Sequence, residues 1–353
     1  MSQRKLVLFT GFPGYLGSYL AKQLLADPNL EILALVRDAS VEHARREIER
    51  LENQHPTGRL SLVTGDLVSP DLGLWRHLDD LLPRITEIFH LATTFKIRTN
   101  PSFTHRINVV GTRNVIDLAR RCPSFERLHF LSTAHVSGQH RGPFGEEDFD
   151  LQQTFRNAYE ETKYLAEKEV RESRLPATIY RAGLLMGDSK TGAIPKYDGP
   201  SGVIQLLMRA PHVLSKLGHG RNEVNLVPSD WVADALHFLA RREDTVGKTF
   251  HLVDPNPLTA HQLAETLENL LKMRTVDFPL PPRLVAGILD FGPINHAIGV
   301  PAQVVDYLSQ DVRYTTDATQ ALLKDSGIIC PSVQDYLPAV MDYARKFEYE
   351  GVA

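Results

Sequence analysis

Short apolar runs alternate with amphipathic stretches through the first half of the chain. Residues 5–9, 30–36, 60–66, 85–92, 127–132 and 177–181 are apolar runs of strand length. Between them, residues 18–25, 41–53, 108–119 and 159–171 carry apolar side chains at helical spacing, and the second of these stretches is densely charged. Strands that alternate with helices predict a parallel sheet covered on both faces and joined by right-handed crossovers. The pattern loosens after Gly183. Residues 187–201, rich in Gly, Pro, Asp and Lys, read as a loop. Further strands are expected at 224–227 and 249–253, both rejoining the sheet, and a helix at 258–273 with Thr259 as N-cap. The remainder, from Pro279-Leu280-Pro281-Pro282 to Ala353, reads as helices and loops in a smaller lobe.

Where the first strand turns into the first helix stands Thr10-Gly11-Phe12-Pro13-Gly14-Tyr15-Leu16-Gly17. Strand, glycine turn, helix is the arrangement that sets a phosphate on backbone N–H groups at a helix N-terminus. Gly11 permits the sharp exit from the strand, Gly14 lets backbone approach a pyrophosphate, and Gly17 lets the helix lie close to the sheet. The turn makes the fold class specific: α/β, a Rossmann-type doubly wound parallel sheet. Residues 1–187 are expected to form a dinucleotide-binding domain, rejoined by about 223–257. Residues 188–222 and 258–353 are expected to form a mainly helical C-terminal substrate-binding lobe. In such sheets ligands bind at the carboxyl ends of the strands.

Composition excludes more than it selects. The 353 residues carry a formal charge of −4, with 23% charged and 42% hydrophobic residues, as in ordinary globular proteins, so nucleic acid is not an expected partner. Two cysteines, Cys122 and Cys330, make no disulfide framework and point to a reducing compartment, the cytoplasm. No apolar stretch is long enough to span a bilayer, and no signal peptide precedes the first strand. The 14 histidines and 2 cysteines show no metal-ligand spacing, so no metal is expected. The apolar segment at 284–291 reads as lobe core, with an acyl tunnel or a membrane contact as the alternative.

Tyr159-Glu160-Glu161-Thr162-Lys163 is a Y-x-x-x-K on a helix, so phenol and ammonium share one face. A lysine charge there favours phenolate and is expected to lower the tyrosine pKa, making Tyr159 a proton donor or acceptor. A second pair of the same spacing, Tyr164 and Lys168, follows at once. The first is preferred because it lies a loop and turn beyond the strand end at Ser132-Thr133, where a hydroxyl can meet a substrate carbonyl. His90 reads as a structural, hydrogen-bonded histidine. His135 is a candidate for lining the substrate pocket.

These residues resemble the extended short-chain dehydrogenase/reductases over nearly the whole length. The resemblance rests on TGFPGYLG (10–17), GDL (65–67), FHLAT (89–93), NVVGT (108–112), LSTAHVSG (131–138), YEETK (159–163) and RAGLLMGDS (181–189). LALVRDASVEHARREIERL (33–51), VNLVPSDWVADAL (224–236), TFHLVDPNPLT (249–259) and LLKDSGIICPSVQDYL (322–337) are similar to the thioester-reductase and fatty-acyl-reductase branch. The resemblance implies that Tyr159 protonates the carbonyl oxygen, that Lys163 binds the nicotinamide ribose, and that Thr133 is the active hydroxyl, with Ser132 as fallback. It implies that Asn108 supports the proton relay. It gives the cofactor to Thr10 through Gly17, to Ala92, and to Asp66 and Leu67 beside the adenine. It also implies a homodimer.

Arg37 ends the second strand, where an acid accepts hydrogen bonds from the ribose 2′-OH of NAD. A guanidinium there can instead grip a 2′-phosphate, so NADP(H) is expected, with NAD(H) the alternative that Asp38 keeps open. The expected activity is an NADPH-dependent reduction of a small-molecule carbonyl: an acyl thioester, delivered as acyl-CoA or on a carrier protein, or an aldehyde or ketone. Two alternatives share the core. One is an NAD-retaining sugar-nucleotide epimerase or dehydratase, against which Arg37 and the Ala134-His135 pair after Thr133 speak. The other is a cofactor sensor without turnover, against which Tyr159 and Lys163 speak.

Overall fold

The computed structural model describes residues 4–54, 56–95, 100–194, 221–272 and 310–350, together with Leu284 and Gly287. The elements, in chain order, are β1 (Lys5–Thr10), α1 (Tyr15–Leu24), β2 (Leu30–Val36), α2 (Val41–Gln54), β3 (Leu60–Thr64), α3 (Leu78–Leu81), β4 (Ile85–His90), α4 (Pro101–His105), α5 (Gly111–Arg121) and β5 (Arg127–Thr133). They continue with β6 (Gly142–Phe144), α6 (Ala158–Glu172), β7 (Ala177–Ala182), β8 (Leu184–Leu185), β9 (Glu223–Val224), β10 (Leu226–Val227), α7 (Ser229–Ala240), β11 (Thr249–Leu252), β12 (Leu258–Thr259), α8 (Ala260–Leu271), β13 (Val312–Tyr314), α9 (Asp317–Leu323) and α10 (Val333–Glu350).

The six apolar runs of the first half and the run at 249–252 form one seven-stranded parallel sheet in the order β11-β7-β5-β4-β1-β2-β3. Its strands are continuously apolar because helices cover both faces: five of the six β1 residues are buried, and all six of β7. The strand order reverses between β1 and β4, where a doubly wound sheet opens its binding crevice. Registers align the carboxyl ends of β1 and β4 there, and β5 runs on to Thr133. Thr10 lies opposite Leu35 of β2 and His90 of β4, and His90 lies opposite Phe130 of β5.

Two elements differ from expectation. The stretch at 224–227 does not join the large sheet. It splits at Asn225 into β9, which pairs antiparallel with β12, and β10, which pairs parallel with β8. The Asn225 carbonyl accepts from the Leu184 amide at 2.9 Å, so two residues remain on either side, too few for a sheet strand. The helix expected from residue 108 begins earlier. Asn100 caps it through its side chain, on the Ser102 amide at 2.9 Å, and Pro101 takes the first turn. It then passes through a π-helical turn at Arg106–Val110 into α5. At the other end of the chain, Thr259 caps α8 as expected, in a capping box with Gln262.

The described chain divides into two compact units. The first takes Met1–Val136, Asn157–Arg181 and Val232–Phe250; the second takes Ser137–Arg156, Ala182–Trp231 and His251–Ala353. Within the second unit, β6 and β13 pair in parallel although far apart in sequence. Glu146 fastens them further: its buried carboxylate accepts from the amides of His251 at 3.1 Å, Ala318 at 2.7 Å and Thr319 at 3.1 Å. Of the apolar segment at 284–291, only Leu284 and Gly287 lie among the described residues, and both are exposed.

Candidate active site

The glycine turn is built from backbone. Gly11 sits at φ +99°, and a Cβ on it would fall 2.9 Å from Leu91 Cβ and 3.0 Å from Ala92 N. Cβ atoms on Gly14 and Gly17 would fall 2.7 and 2.4 Å from the Gly11 carbonyl oxygen. Gly14 therefore serves the closure of the turn itself, besides opening it to a ligand. Gly14 is also the N-cap of α1 and offers no side chain to it; the first intrahelical bond runs from Ser18 N to Gly14 O at 2.8 Å. The amides of Tyr15, Leu16 and Gly17 thus lack intrahelical acceptors, as at any helix start. A turn whose three glycine positions have no room for a Cβ and that ends in such amides fits a dinucleotide pyrophosphate.

Behind the turn runs a chain of hydrogen bonds whose directions are all determined. Thr112 Oγ1 donates to the Asn108 carbonyl at 2.6 Å, so it accepts from His90 Nε2 at 3.0 Å. His90 Nδ1 is then bare and accepts from Thr10 Oγ1 at 2.7 Å, and Thr10 Oγ1 accepts from Ala92 N at 3.3 Å. Burial holds His90 neutral, pulling it to about 3, helped by the Lys163 charge. His90 is a bolt between β1, β4 and the π turn. Ala92 and Thr10 meet in this chain beside Gly11.

Asn108 stands in the π turn with all its side-chain groups engaged. Oδ1 accepts from Thr94 N at 2.9 Å and Thr93 Oγ1 at 3.0 Å; Nδ2 donates to Thr162 Oγ1 at 3.0 Å and Thr94 O at 3.3 Å. It ties the loop after β4 to the residue preceding Lys163. π turns recur at functional sites because they re-aim side chains within a helix.

Three consecutive residues at the end of β5 meet the buried face of α6. Lys163 Nζ donates to the Leu131 carbonyl at 2.7 Å and lies 4.4 Å from the centre of the Phe130 ring. Ser132 Oγ donates to Glu167 Oε2 at 2.6 Å. The Thr133 hydroxyl is hydrogen-bonded to the Tyr159 phenol and accepts from the His135 amide at 3.3 Å. Of the two strand-end hydroxyls, Thr133 is therefore the one held against the phenol. The rings of Tyr159 and Phe95 meet edge to face at 4.4 Å. On α6, Tyr159 and Lys163 are buried, whereas Lys168 is exposed and pairs with Glu172 at 3.9 Å.

The electrostatics reverse one expectation. Burial pushes the Tyr159 phenol above its ordinary value; Thr133 opposes this and Glu160 adds to it. Lys163 is not what sets it, because its ammonium is turned onto the Leu131 carbonyl. Burial instead lowers Lys163 to about 7, against the pull of Glu167.

The remaining candidates lie along the sheet edge beside β1. Arg37 follows β2 directly, exposed, with its carbonyl closing a short turn onto Ser40 N at 2.8 Å. Asp66 is half-buried after β3 and caps its own turn, accepting from Val68 N at 3.1 Å. Leu67 packs near Gly111, where a Cβ would meet it at 3.1 Å. Among the described residues no group of three or more His, Cys, Asp or Glu is placed to hold a metal ion. None of their helices is long and apolar enough to cross a membrane.

An NAD-binding family described as male sterility protein matches residues 9–236. The chain belongs to this family. The male sterility match takes in the glycine turn, the π turn and the whole face of α6. Over 371 residues the chain is 27% identical to a linear gramicidin synthase protein of Brevibacillus parabrevis, covering 97% of this chain and 7% of that protein. Over 298 residues it is 28% identical to glycine betaine reductase ATRR of Emericella nidulans, covering 76% of this chain and 22% of that protein. The crystal structure of the terminal R domain from the myxalamid PKS-NRPS biosynthetic pathway is similar with a TM-score of 0.79 at 25% identity, covering 100% of this chain and 92% of that one. The chain thus spans about a fifth or less of the two curated relatives' lengths. It is an extended short-chain dehydrogenase/reductase of the thioester-reductase and fatty-acyl-reductase branch, and in class an NAD(P)H-dependent oxidoreductase.

Two features of the site escape a motif reading. Glu167 lies one helical turn past Lys163, a spacing that predicts the same face, but its burial depends on Arg181, in another strand. Phe95 stands two residues after FHLAT, with nothing in the local pattern to mark its ring contact.

Proposed function

We propose that this protein is a cytoplasmic NADPH-dependent reductase acting on a carbonyl, foremost that of an acyl thioester delivered as acyl-CoA or on a carrier protein. The observation that carries the reading is the Thr133–Tyr159 hydrogen bond, with Lys163 one turn along the same buried helix face. NADPH, when bound, supplies the hydride. The turn from Thr10 to Gly17 holds its pyrophosphate, Asp66, Leu67 and Ala92 border the rest of it, and Arg37 grips the 2′-phosphate. Thr133 polarises the carbonyl oxygen by donating to it. Tyr159 delivers the proton that the oxygen acquires, and its raised pKa keeps the phenol protonated until negative charge develops beside it. Lys163 holds the nicotinamide ribose. Asn108 positions Lys163 through Thr162. The likeness to the R domain and to a gramicidin synthase supports a thioester substrate over a free ketone.

The test is NADPH oxidation with acyl-CoAs, carrier-bound acyl thioesters, long-chain aldehydes and ketones. Turnover of a thioester is the expected result. No turnover of any of them, with NAD retained in the purified protein, overturns the reading in favour of a nonredox enzyme.

A further inference from the structure

Below Lys163 on the same face of α6 is a carboxylate that the mechanism leaves unused. Glu167 is completely buried. Its oxygens accept from Arg181, at 2.7 Å from the terminal nitrogen and 3.1 and 3.2 Å from Nε, and from Arg171, at 3.0 and 2.9 Å. The same carboxylate takes the Ser132 hydroxyl at 2.6 Å. Arg171 reaches on to Thr249 Oγ1 of β11 at 2.7 Å, and Arg181 is itself completely buried in β7. Tyr159, Lys163 and Glu167 follow one another at one-turn spacing, and each bonds a different one of the consecutive residues Thr133, Leu131 and Ser132. Two members of this row touch the reaction in the proposed mechanism. The third touches, on β5, the strand residue between their partners.

We propose that Glu167 is a positioning residue for the Tyr159–Lys163 pair: it fixes Ser132, and through it the placement of Thr133 against the phenol, and it sets the charge that Lys163 feels from below. This rests on the reductase reading. Around Lys163, the charged and titratable groups are few among the described residues. Tyr159 and Glu167 face it from its own helix, and His90 faces it from β4 in neutral form. From β5 it meets only a carbonyl and a ring. Arg181 and Arg171 come to this face bound to Glu167, whose single negative charge offsets one of their two positive charges. Glu167 itself stays ionised: burial pushes its carboxyl up, but Arg181, Arg171 and Ser132 outweigh it and hold it at about 2. It opposes the loss of the proton from Lys163, whose pKa burial has brought to about 7. With Glu167 neutralised, the ammonium would lose its proton at lower pH.

The experiment is the pH profile of kcat/KM for wild type, E167Q, E167D and S132A, with NADPH affinity followed over the same pH range by the fluorescence of the bound nucleotide. The wild-type rate is expected to fall above about pH 7, where burial has brought the Lys163 ammonium. E167Q should move that limb to lower pH by about one unit, an approximately fivefold loss at pH 7 that grows toward tenfold at higher pH and that acid conditions partly restore. E167D keeps the charge but withdraws from Ser132, so the limb stays and kcat drops; S132A does the same. A limb that stays in place in E167Q, with kcat reduced equally at every pH, overturns the charge role. Wild-type kcat in both E167D and S132A overturns the placement role, and these two milder variants give that answer even where E167Q does not fold. Failure of wild type to reduce any carbonyl strikes the reductase reading instead, and the pH dependence of NADPH affinity in E167Q then decides the role of Glu167 alone.

Discussion

Glu87 and Glu167 are both buried acids held at about 2 by ion networks that cross the same sheet. Their networks differ in what they touch. Glu87 belongs to a row on three neighbouring strands. It accepts from His129 Nε2 at 3.2 Å, and His129 Nδ1 then accepts from the Tyr180 hydroxyl at 3.0 Å. Arg241 closes the row on Glu87 at 2.5 Å. Burial outweighs the pull of Glu87 on His129 and brings the imidazole to about 4, so it is neutral at neutral pH. Against its burial, Glu87 is held down by the His129 hydrogen bond and by the charge His129 acquires in acid, and then by Arg241. Each partner of Glu87 is a framework group. Glu167 uses the same device, one carboxylate against guanidiniums, but one of its ligands is the residue before Thr133 and its next neighbour on the helix is Lys163. A buried ion network is weak support for net stability, since desolvation offsets much of the attraction. What distinguishes the two is that one sits where placement and charge also bear on chemistry.

The comparison is broken most strongly on the chemical side. Tyr159→Phe should cut kcat by about 10²–10⁴-fold, the range of a lost general acid, while melting temperature and NADPH affinity stay near wild type. Tyr164→Phe should be near neutral; if it is the inactive variant, the chemistry belongs to the other pair. On the framework side the outcome inverts. Glu87→Gln leaves Arg241 facing His129 without a counter-charge and should cost about 3 kcal/mol of unfolding free energy, with kcat of the folded enzyme unchanged. Denaturant titration and kinetics on the same samples separate the two; a rate loss in Glu87→Gln without a stability loss would erase the distinction.

Acid sharpens it further. His129 has a folded pKa below its ordinary 6.5, so its contribution to stability is full above that value and is lost as pH falls toward about 4. Glu87 and Glu167, ordinarily near 4.5, contribute fully above that and are lost as pH falls toward about 2. Unfolding free energy should therefore fall in two stages, each group adding at most about 1.4 kcal/mol per pH unit. In Glu87→Gln the lower stage should lose part of its slope. An unchanged lower stage would mean that Glu87 does not titrate with folding.

Much of this was legible in sequence where the physics is local. A glycine turn, a Y-x-x-x-K and a strand-end Thr are set by neighbours within a few residues, and Thr10, Gly11, Gly14, Gly17, Thr133, Tyr159 and Lys163 stand in such positions. The start of the helix at Asn100-Pro101 was also readable, as N-cap and first-turn proline, yet the apolar period begins only at residue 108. What the pattern does not carry is long-range. Ser132 and Glu167 are 35 residues apart, and β6 meets β13 across some 170 residues. The lysine's effect on the phenol failed for a related reason. Spacing puts the two on one face, but burial and the Leu131 carbonyl, both tertiary, decide which pKa moves. The segment at 224–227 has strand composition, but the carbonyl of Asn225, committed to β8, divides it.

The smallest expected effect concerns a third place, where no buried network assists. Arg37 is exposed at the end of β2, next to the strand that feeds the glycine turn. A guanidinium in water gains less from a charge partner than one that is buried, and a doubly charged 2′-phosphate is the ligand that makes the gain appreciable. Arg37→Ala should therefore weaken NADPH by about tenfold, near 1.4 kcal/mol, and leave NADH almost unchanged. Added salt should erode the wild-type preference for NADPH, because an exposed pair is screened where the networks of Glu87 and Glu167 are not. Nucleotide titrations of both proteins at low and high salt measure this. Equal weakening of the two nucleotides would assign Arg37 to the turn rather than to the phosphate. A larger loss of NADH in Asp38→Asn would show that the 2′-hydroxyl is read there, making NADH the cofactor.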